Sequence, residues 1–152
     1  MPYIVSYQKF IDIDRTVEIA LPADLEGQRI GVELATIDGV TYVSLPDEVT
    51  LPGQQPAEVA ASIVNPVTVT SELRAQLRDT SPHLRLISQR MIDQIRASYT
   101  IDDEMYFARI GVGAATGLYE PTTDEMQEMT VFGEFVESVR EWGRTERAKF
   151  GL

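Results

Sequence analysis

The chain has no cysteine, which excludes disulfides and thiolate metal sites. It has one histidine, His83, so a histidine cluster is excluded too. A cation site made of carboxylates alone stays open, but no loop signature for one is present. No run reaches the roughly 18 apolar residues of a membrane span. The N-terminus lacks the basic-then-apolar order of a secretory signal. Basic side chains are also scarce: 13 Lys and Arg stand against 24 Asp and Glu, a formal net charge of -11. Residues 1–69 hold 3 basic and 10 acidic side chains, and residues 70–152 hold 10 and 14. Neither half has the basic footprint of a nucleic-acid binder. An acidic balance favours solubility and carries no information about fold. There is no internal repeat and no low-complexity tract.

What remains is ordinary globular material, 152 residues with 43% hydrophobic and 24% charged. A chain of this length buries roughly 68–70% of its unfolded surface, enough for a real core.

The N-terminal half reads as strands. Tyr3–Ile13 is rich in aromatic and β-branched residues. Thr16–Leu21 alternates, with Val17, Ile19 and Leu21 on one face, and Arg29–Ile37 alternates as Ile30, Val32 and Leu34. Asp38-Gly39 then lies between two β-branched runs, a strong hairpin signal, because a type I′ turn needs φ > 0 at both central residues. A two-residue loop pairs Ile37 with Val40 and Leu34 with Val43. That register sets Leu34, Val43 and Leu45 on one face, and Ile37, Val40 and Tyr42 on the other.

Leu45–Pro56 breaks the pattern with Pro46, Pro52, Gly53 and Pro56. Proline removes ladder donors and biases the residue before it to extended geometry. The segment reads as an ordinary surface loop, or as an extended connector lying across a partner. Ala57–Val69 is expected to hold one more strand, best formed at Pro66–Val69.

The second half reads as helices. Thr70 or Ser71 precedes Glu72–Asp79, and Ser81-Pro82 is an N-cap followed by proline at the first helical position. Leu84, Ile87, Met91, Ile95 and Tyr99 follow one helical face. Thr100-Ile101-Asp102-Asp103 resembles a capping box opening a helix with Met105, Phe107 and Ile110. Thr122-Thr123-Asp124-Glu125 opens the last helix, whose stripe is Met129, Phe132, Phe135 or Val136, Val139 and Trp142. Gly151 falls too late to be a distinctive stop.

Several groups invite a chemical reading. Gly111–Gly117 is glycine-rich, and such loops let backbone N–H groups approach a phosphate. A dinucleotide fingerprint, however, needs a strand before it and a helix after it, and no Lys-Ser/Thr follows. A small-residue link between helices is the plainer reading. Asp102-Asp103-Glu104 complements a helix N-terminus, which accounts for it without a metal. Asp12 and Asp14 read as a solvated strand edge. His83, in the first turn of a helix, has no nucleophile singled out beside it. Arg74, Arg78, Arg85, Arg90 and Arg96 make residues 70–99 the most basic stretch, with Asp93 spaced to pair with Arg90 and Arg96. A solvated face accounts for this, and a docking face for an acidic partner is the sharper reading. Phe132, Phe135 and Trp142 form an aromatic stripe, either core or the occupant of a partner's groove.

Ile95-Arg96-Ala97-Ser98-Tyr99-Thr100-Ile101-Asp102-Asp103-Glu104 resembles an Ile-Arg-Ala-x-Tyr-(Ser/Thr)-(Ile/Leu)-x-Asp-Glu segment. That segment belongs to small proteins encoded among the tail genes of tailed bacteriophages, near the tail fibre. Phe132–Leu152, with Trp142 and a basic close, resembles the end of the same proteins. Some of them are fibre-assembly proteins and some are minor virion parts. The resemblance spans the last third to half of the chain and carries no functional motif, so it assigns no binding residue. The N-terminal half departs from the pattern.

The expected fold is α+β: an N-terminal antiparallel hairpin or small sheet, then a C-terminal bundle of three to four helices. Residues 1–56 form the β-rich region with its connector, and residues 57–152 the helical region. The resemblance implies a non-enzymatic virion component of the tail or of the tail-fibre or baseplate attachment. Its partners would be other tail proteins or further copies of itself, with no nucleic acid and no membrane. Alternatives are an assembly chaperone not retained in the particle, and a small ligand-binding domain or enzyme using Gly111–Gly117. No catalytic, cofactor or metal residue is expected. The expected contact residues are Tyr3, Val5, Tyr7, Leu51, Pro52, Phe132, Phe135 and Trp142. The expected location is the virion tail, or otherwise the cytoplasm.

Overall fold

Asp38 and Gly39 have φ of 50° and 81°, so both central residues of the turn are left-handed. This turn joins β2 (Val32–Ile37) to β3 (Val40–Leu45) in a computed structural model that describes residues 1–12, 29–51 and 55–152. The candidate strand at Thr16–Leu21 and the residues Asp14 and Pro52 lie outside the described residues. β1 (Tyr3–Gln8) pairs with the far side of β3, giving an antiparallel sheet of order β1-β3-β2. Helices follow: α1 (Ala57–Ser62), α2 (Ser71–Thr80), α3 (Pro82–Ser98), α4 (Ile101–Thr116) and α5 (Thr123–Ala148). The fold is α+β, as the two periodicities implied.

The hairpin register departs from the expected one after its first pairs. Ile37 faces Val40, Thr36 faces Thr41 and Ala35 faces Tyr42, but Glu33, not Leu34, faces Val43. A β-bulge between Glu33 and Ala35 takes up the extra residue. Residues that face each other share a side of the sheet, so Glu33 takes the place expected of Leu34 beside Val43. There Glu33 meets Lys9 Nζ, which donates to its carboxylate oxygens at 3.2 and 3.0 Å. Leu34 is buried as well, but apart from the cluster of Val43 and Leu45. That cluster joins Val5, Tyr7, Val43, Leu45, Leu51 and Val59. Gly31 lies against it, and an added Cβ there would come within 2.6 Å of Leu45 Cδ2 and 2.8 Å of the Ser44 carbonyl.

Both faces of β1 are covered, since Ile4, Val5, Ser6 and Tyr7 are all buried. Its outer edge is closed by the chain itself. Ser6 N donates to Val64 O at 3.1 Å, Val64 N returns to Ser6 O at 2.8 Å, and Val67 N donates to Ile4 O at 2.7 Å. Gln8 N donates to Ser62 Oγ at 2.9 Å. The strand expected in Ala57–Val69 is thus only a bridge at Val64, preceded by a short helix. Ala57, Ala60 and Ala61, with Glu58 in the first turn, favour helix more than the valines around them favour strand.

Backbone proximity divides the described residues into two compact units. One holds residues 1–86 and 146–152, and the other residues 87–145. These units cut across the split between the β-rich residues 1–56 and the helical residues 57–152. α1 packs on β1 and α2 on β2, so both belong with the sheet. In the sheet unit, α5 ends in a turn with Gly151 at φ 80°. Gly151 is therefore the helix stop that its late position concealed, and a Cβ there would meet the Pro2 carbonyl at 2.8 Å.

In the helical unit, the stripes of α3 and α5 face inward as expected. Ile87 and Val139 are buried, while Met91, Ile95, Tyr99, Met129, Phe132 and Trp142 are half-buried. Gly143 is buried because Met91 occupies the space a Cβ would need. α4 differs from expectation: Ile110 is buried and Phe107 half-buried, but Met105 is exposed. Among the described residues no helix is long and apolar enough to cross a membrane.

Candidate interaction surface

The expected contact residues separate into two groups. Val5, Tyr7 and Leu51 are buried in the sheet unit's core, with Tyr3 packed against it. Tyr3 Oη also donates to Val49 O at 2.7 Å. β1 carries no charged side chain, and its own chain covers its outer edge. Of the residues read as contacts, Val5, Tyr7 and Leu51 thus have buried side chains, and Tyr3 is half-buried against them.

Phe132 and Phe135 instead belong to an aromatic cluster in the helical unit. Tyr99 lies edge-on to Phe107 at 6.1 Å and to Phe132 at 4.9 Å, and tilted to Phe135 at 5.6 Å. Phe107 stacks on Phe132 at 4.8 Å. Such offset and edge contacts fix ring orientation. Trp142 is half-buried one stretch further along α5.

The turn from α4 to α5 is built from local rules. Thr100 opens α4: its hydroxyl accepts from Asp103 N at 3.1 Å, and Asp103 Oδ2 accepts from Thr100 N at 2.7 Å. These bonds hold the Asp103 carboxyl below its ordinary pKa, the Thr100 side-chain bond foremost. α4 ends on Gly117, at φ 71°. Leu118 N and Tyr119 N both donate to Gly113 O, at 3.0 and 3.1 Å. This brings Tyr119 over Gly113, where a Cβ would lie 2.8 Å from the Tyr119 Cβ. Tyr119 Oη donates to both oxygens of Glu125 at 2.9 Å. Glu125 also accepts from Thr122 N at 2.8 Å, while Thr122 Oγ1 accepts from Glu125 N at 3.2 Å. The Thr122 and Tyr119 bonds lower the Glu125 pKa, and the bond to Glu125 raises that of the Tyr119 phenol. The Tyr106 phenol is raised by desolvation and by the Glu125 charge.

Two clefts flank this turn. One, about 510 Å³, is mostly apolar and includes Tyr106, Arg109, Val112, Leu118 and Tyr119. The other, also about 510 Å³, is lined by Tyr99, Phe107, Asp124, Gln127, Glu128 and Val131. The unit's apolar side chains are unusually exposed: Leu118 at 87%, Val112 at 63%, Met105 at 61% and Val131 at 52%. Val112 and Leu118 line the first cleft and Val131 the second. Tyr106, Leu118, Tyr119 and Val131 stand in no motif that singles them out. The one local signal was Leu118-Tyr119 standing just past a helix-stopping glycine.

The remaining candidates have ordinary settings. Gly111–Thr116 is the last part of α4, so Gly117 stands at a helix C-terminus, where carbonyls rather than N–H groups point outward. His83 is exposed in the first turn of α3 and lies 5.7 Å from the Phe150 ring. Asp93 accepts from Gln89 Nε2 at 2.8 Å and forms no ion pair with Arg90 or Arg96, contrary to the spacing. Among the described residues no group of three or more His, Cys, Asp or Glu is placed to hold a metal ion. No family model matches the sequence, and no curated protein or solved structure matches it.

Proposed function

We propose that this chain is a non-enzymatic component of the tail of a tailed bacteriophage, acting by protein–protein contact at the tail, tail fibre or baseplate attachment. The observation that carries the contact reading is the α4–α5 region, where large apolar side chains stand exposed around two clefts. A fold with its own sheet core has no internal need for that surface. The phage assignment rests on the resemblance of Ile95–Glu104 and Phe132–Leu152 to tail-gene products. Contact runs through the helices. Strand addition at β1 is disfavoured because residues 62–67 already hold its outer edge.

The test is co-expression with the tail and fibre genes that accompany it, followed by affinity purification. A stoichiometric complex with one tail protein is expected, and Leu118→Asp or Val131→Asp should disrupt it. A chain that stays monomeric and alone with every tail protein contradicts the reading.

A further inference from the structure

We infer that the cleft lined by Tyr99, Phe107 and Val131 binds an arginine or lysine side chain carried on an otherwise apolar segment of the partner protein. This rests on the contact reading above and specifies the chemistry of the partner.

The floor of the cleft is aromatic and held in place. Tyr99 and Phe107 touch each other and both touch Phe132, so neither ring is free to turn away. Aromatic faces attract a guanidinium or ammonium group within about 6 Å of the ring centre. Val131, half-exposed on the same wall, gives the apolar part of an incoming segment a surface to cover.

The rim supplies the charge. Asp124 and Glu128 lie one turn apart on α5 and both line the cleft. Neither has a hydrogen bond or an ion pair among the described residues. Like charges at this spacing repel. The helix dipole accounts for Asp124 in the first turn, but Glu128 lies beyond it. No Lys or Arg is among the residues lining this cleft. Residues 97–139 carry nine carboxylates and a single cation, Arg109, which lines the other cleft. A basic group from outside would relieve this repulsion while sitting against the rings. An acidic segment would add to it. This is charge complementarity across a contact, the feature that selects a partner and speeds its encounter.

The test uses the full chain and a short peptide of alternating leucine and arginine, with ring-proton NMR as readout. The peptide should bind saturably, shift the Tyr99 and Phe107 ring signals, and lose affinity as salt is raised. The same peptide with glutamate for arginine should not bind. The double variant Asp124→Asn with Glu128→Gln keeps shape and removes charge, and it should weaken binding by at least about tenfold. Glu128→Lys, which places a cation at the rim, should weaken it at least as much. Both changes are at exposed positions, and unchanged circular dichroism checks the fold. Equal affinity in the double variant, equal affinity for the glutamate peptide, or binding that leaves both rings unshifted would overturn the proposal. If the peptide fails while the co-expressed chain still captures a tail protein, the cleft assignment falls and the contact reading stands. If the peptide binds as expected but no tail protein is captured, the cleft stands and the tail reading falls.

Discussion

Gly133 and Gly143 are both interior residues of α5, but their surroundings differ. Nothing lies within 4 Å of a Cβ built on Gly133, whereas Met91 blocks one on Gly143. Glycine inside a helix costs about 0.5–1 kcal/mol relative to alanine. Gly133→Ala should therefore stabilise the protein by about that amount in denaturant unfolding. Gly143→Ala gains the same propensity but must turn the flexible Met91 thioether aside, so it should stabilise less than Gly133→Ala or destabilise. Equal effects would mean that the α3–α5 approach at Met91 is wrong. Gly39 has no neighbour within 4 Å, so its requirement is conformational alone, set by φ of 81°. Gly39→Val should cost about 1 kcal/mol or more, because a β-branched residue resists the left-handed region. An unchanged melting temperature would contradict the turn.

At the scale of elements, what could be read in advance was what is local. The Asp38-Gly39 turn, the Thr100 capping box and the stripes of α3 and α5 each depend on residues a few positions apart, and each is where the pattern put it. The bulge at Glu33–Ala35 was not legible, because it answers to packing from β3 and to Lys9 rather than to its own alternation. The strand expected in Ala57–Val69, best at Pro66–Val69, is only a bridge at Val64, and the helix before it rests on three alanines among valines. The Tyr119–Glu125 bond was hidden because it spans a helix end and a helix start. Caps give two tests. Thr70 accepts from Leu73 N at 3.2 Å, so Thr70→Ala should cost about 1 kcal/mol, measured by thermal unfolding. Glu125 and Asp103 both have pKa values lowered in the fold. Their contribution is present above the ordinary carboxylate range and is lost as pH falls through the lowered values. Acidification should loosen the α4–α5 turn, seen as a change in tyrosine fluorescence. Glu125→Gln should weaken the turn at neutral pH and flatten that acid response. An identical acid profile in the variant would remove Glu125 from this role.

At the scale of the whole molecule, the two halves divide their tasks. The sheet unit covers one of its edges: residues 62–67 bridge β1, Tyr7 is internal, and Leu51 folds back onto the core. The helical unit leaves Leu118, Val112 and Val131 exposed, with the Asp124 and Glu128 side chains beside one of its clefts. β1 carries no charged residue, and Tyr3, Val5 and Tyr7 of the expected contact residues lie on it. An uncharged strand needs cover, and the chain's own residues provide it. The proposed contact surface lies instead on α4 and α5, where exposed Leu118, Val112 and Val131 line the clefts. The central claim is that this chain is a tail part held by that surface. Cross-linking mass spectrometry of purified phage particles encoding it tests this most directly. The account predicts that the chain is present in stoichiometric amount, with cross-links from α4 or α5 to one neighbouring tail protein. Particles that lack the chain, or cross-links confined to the sheet unit, would contradict it.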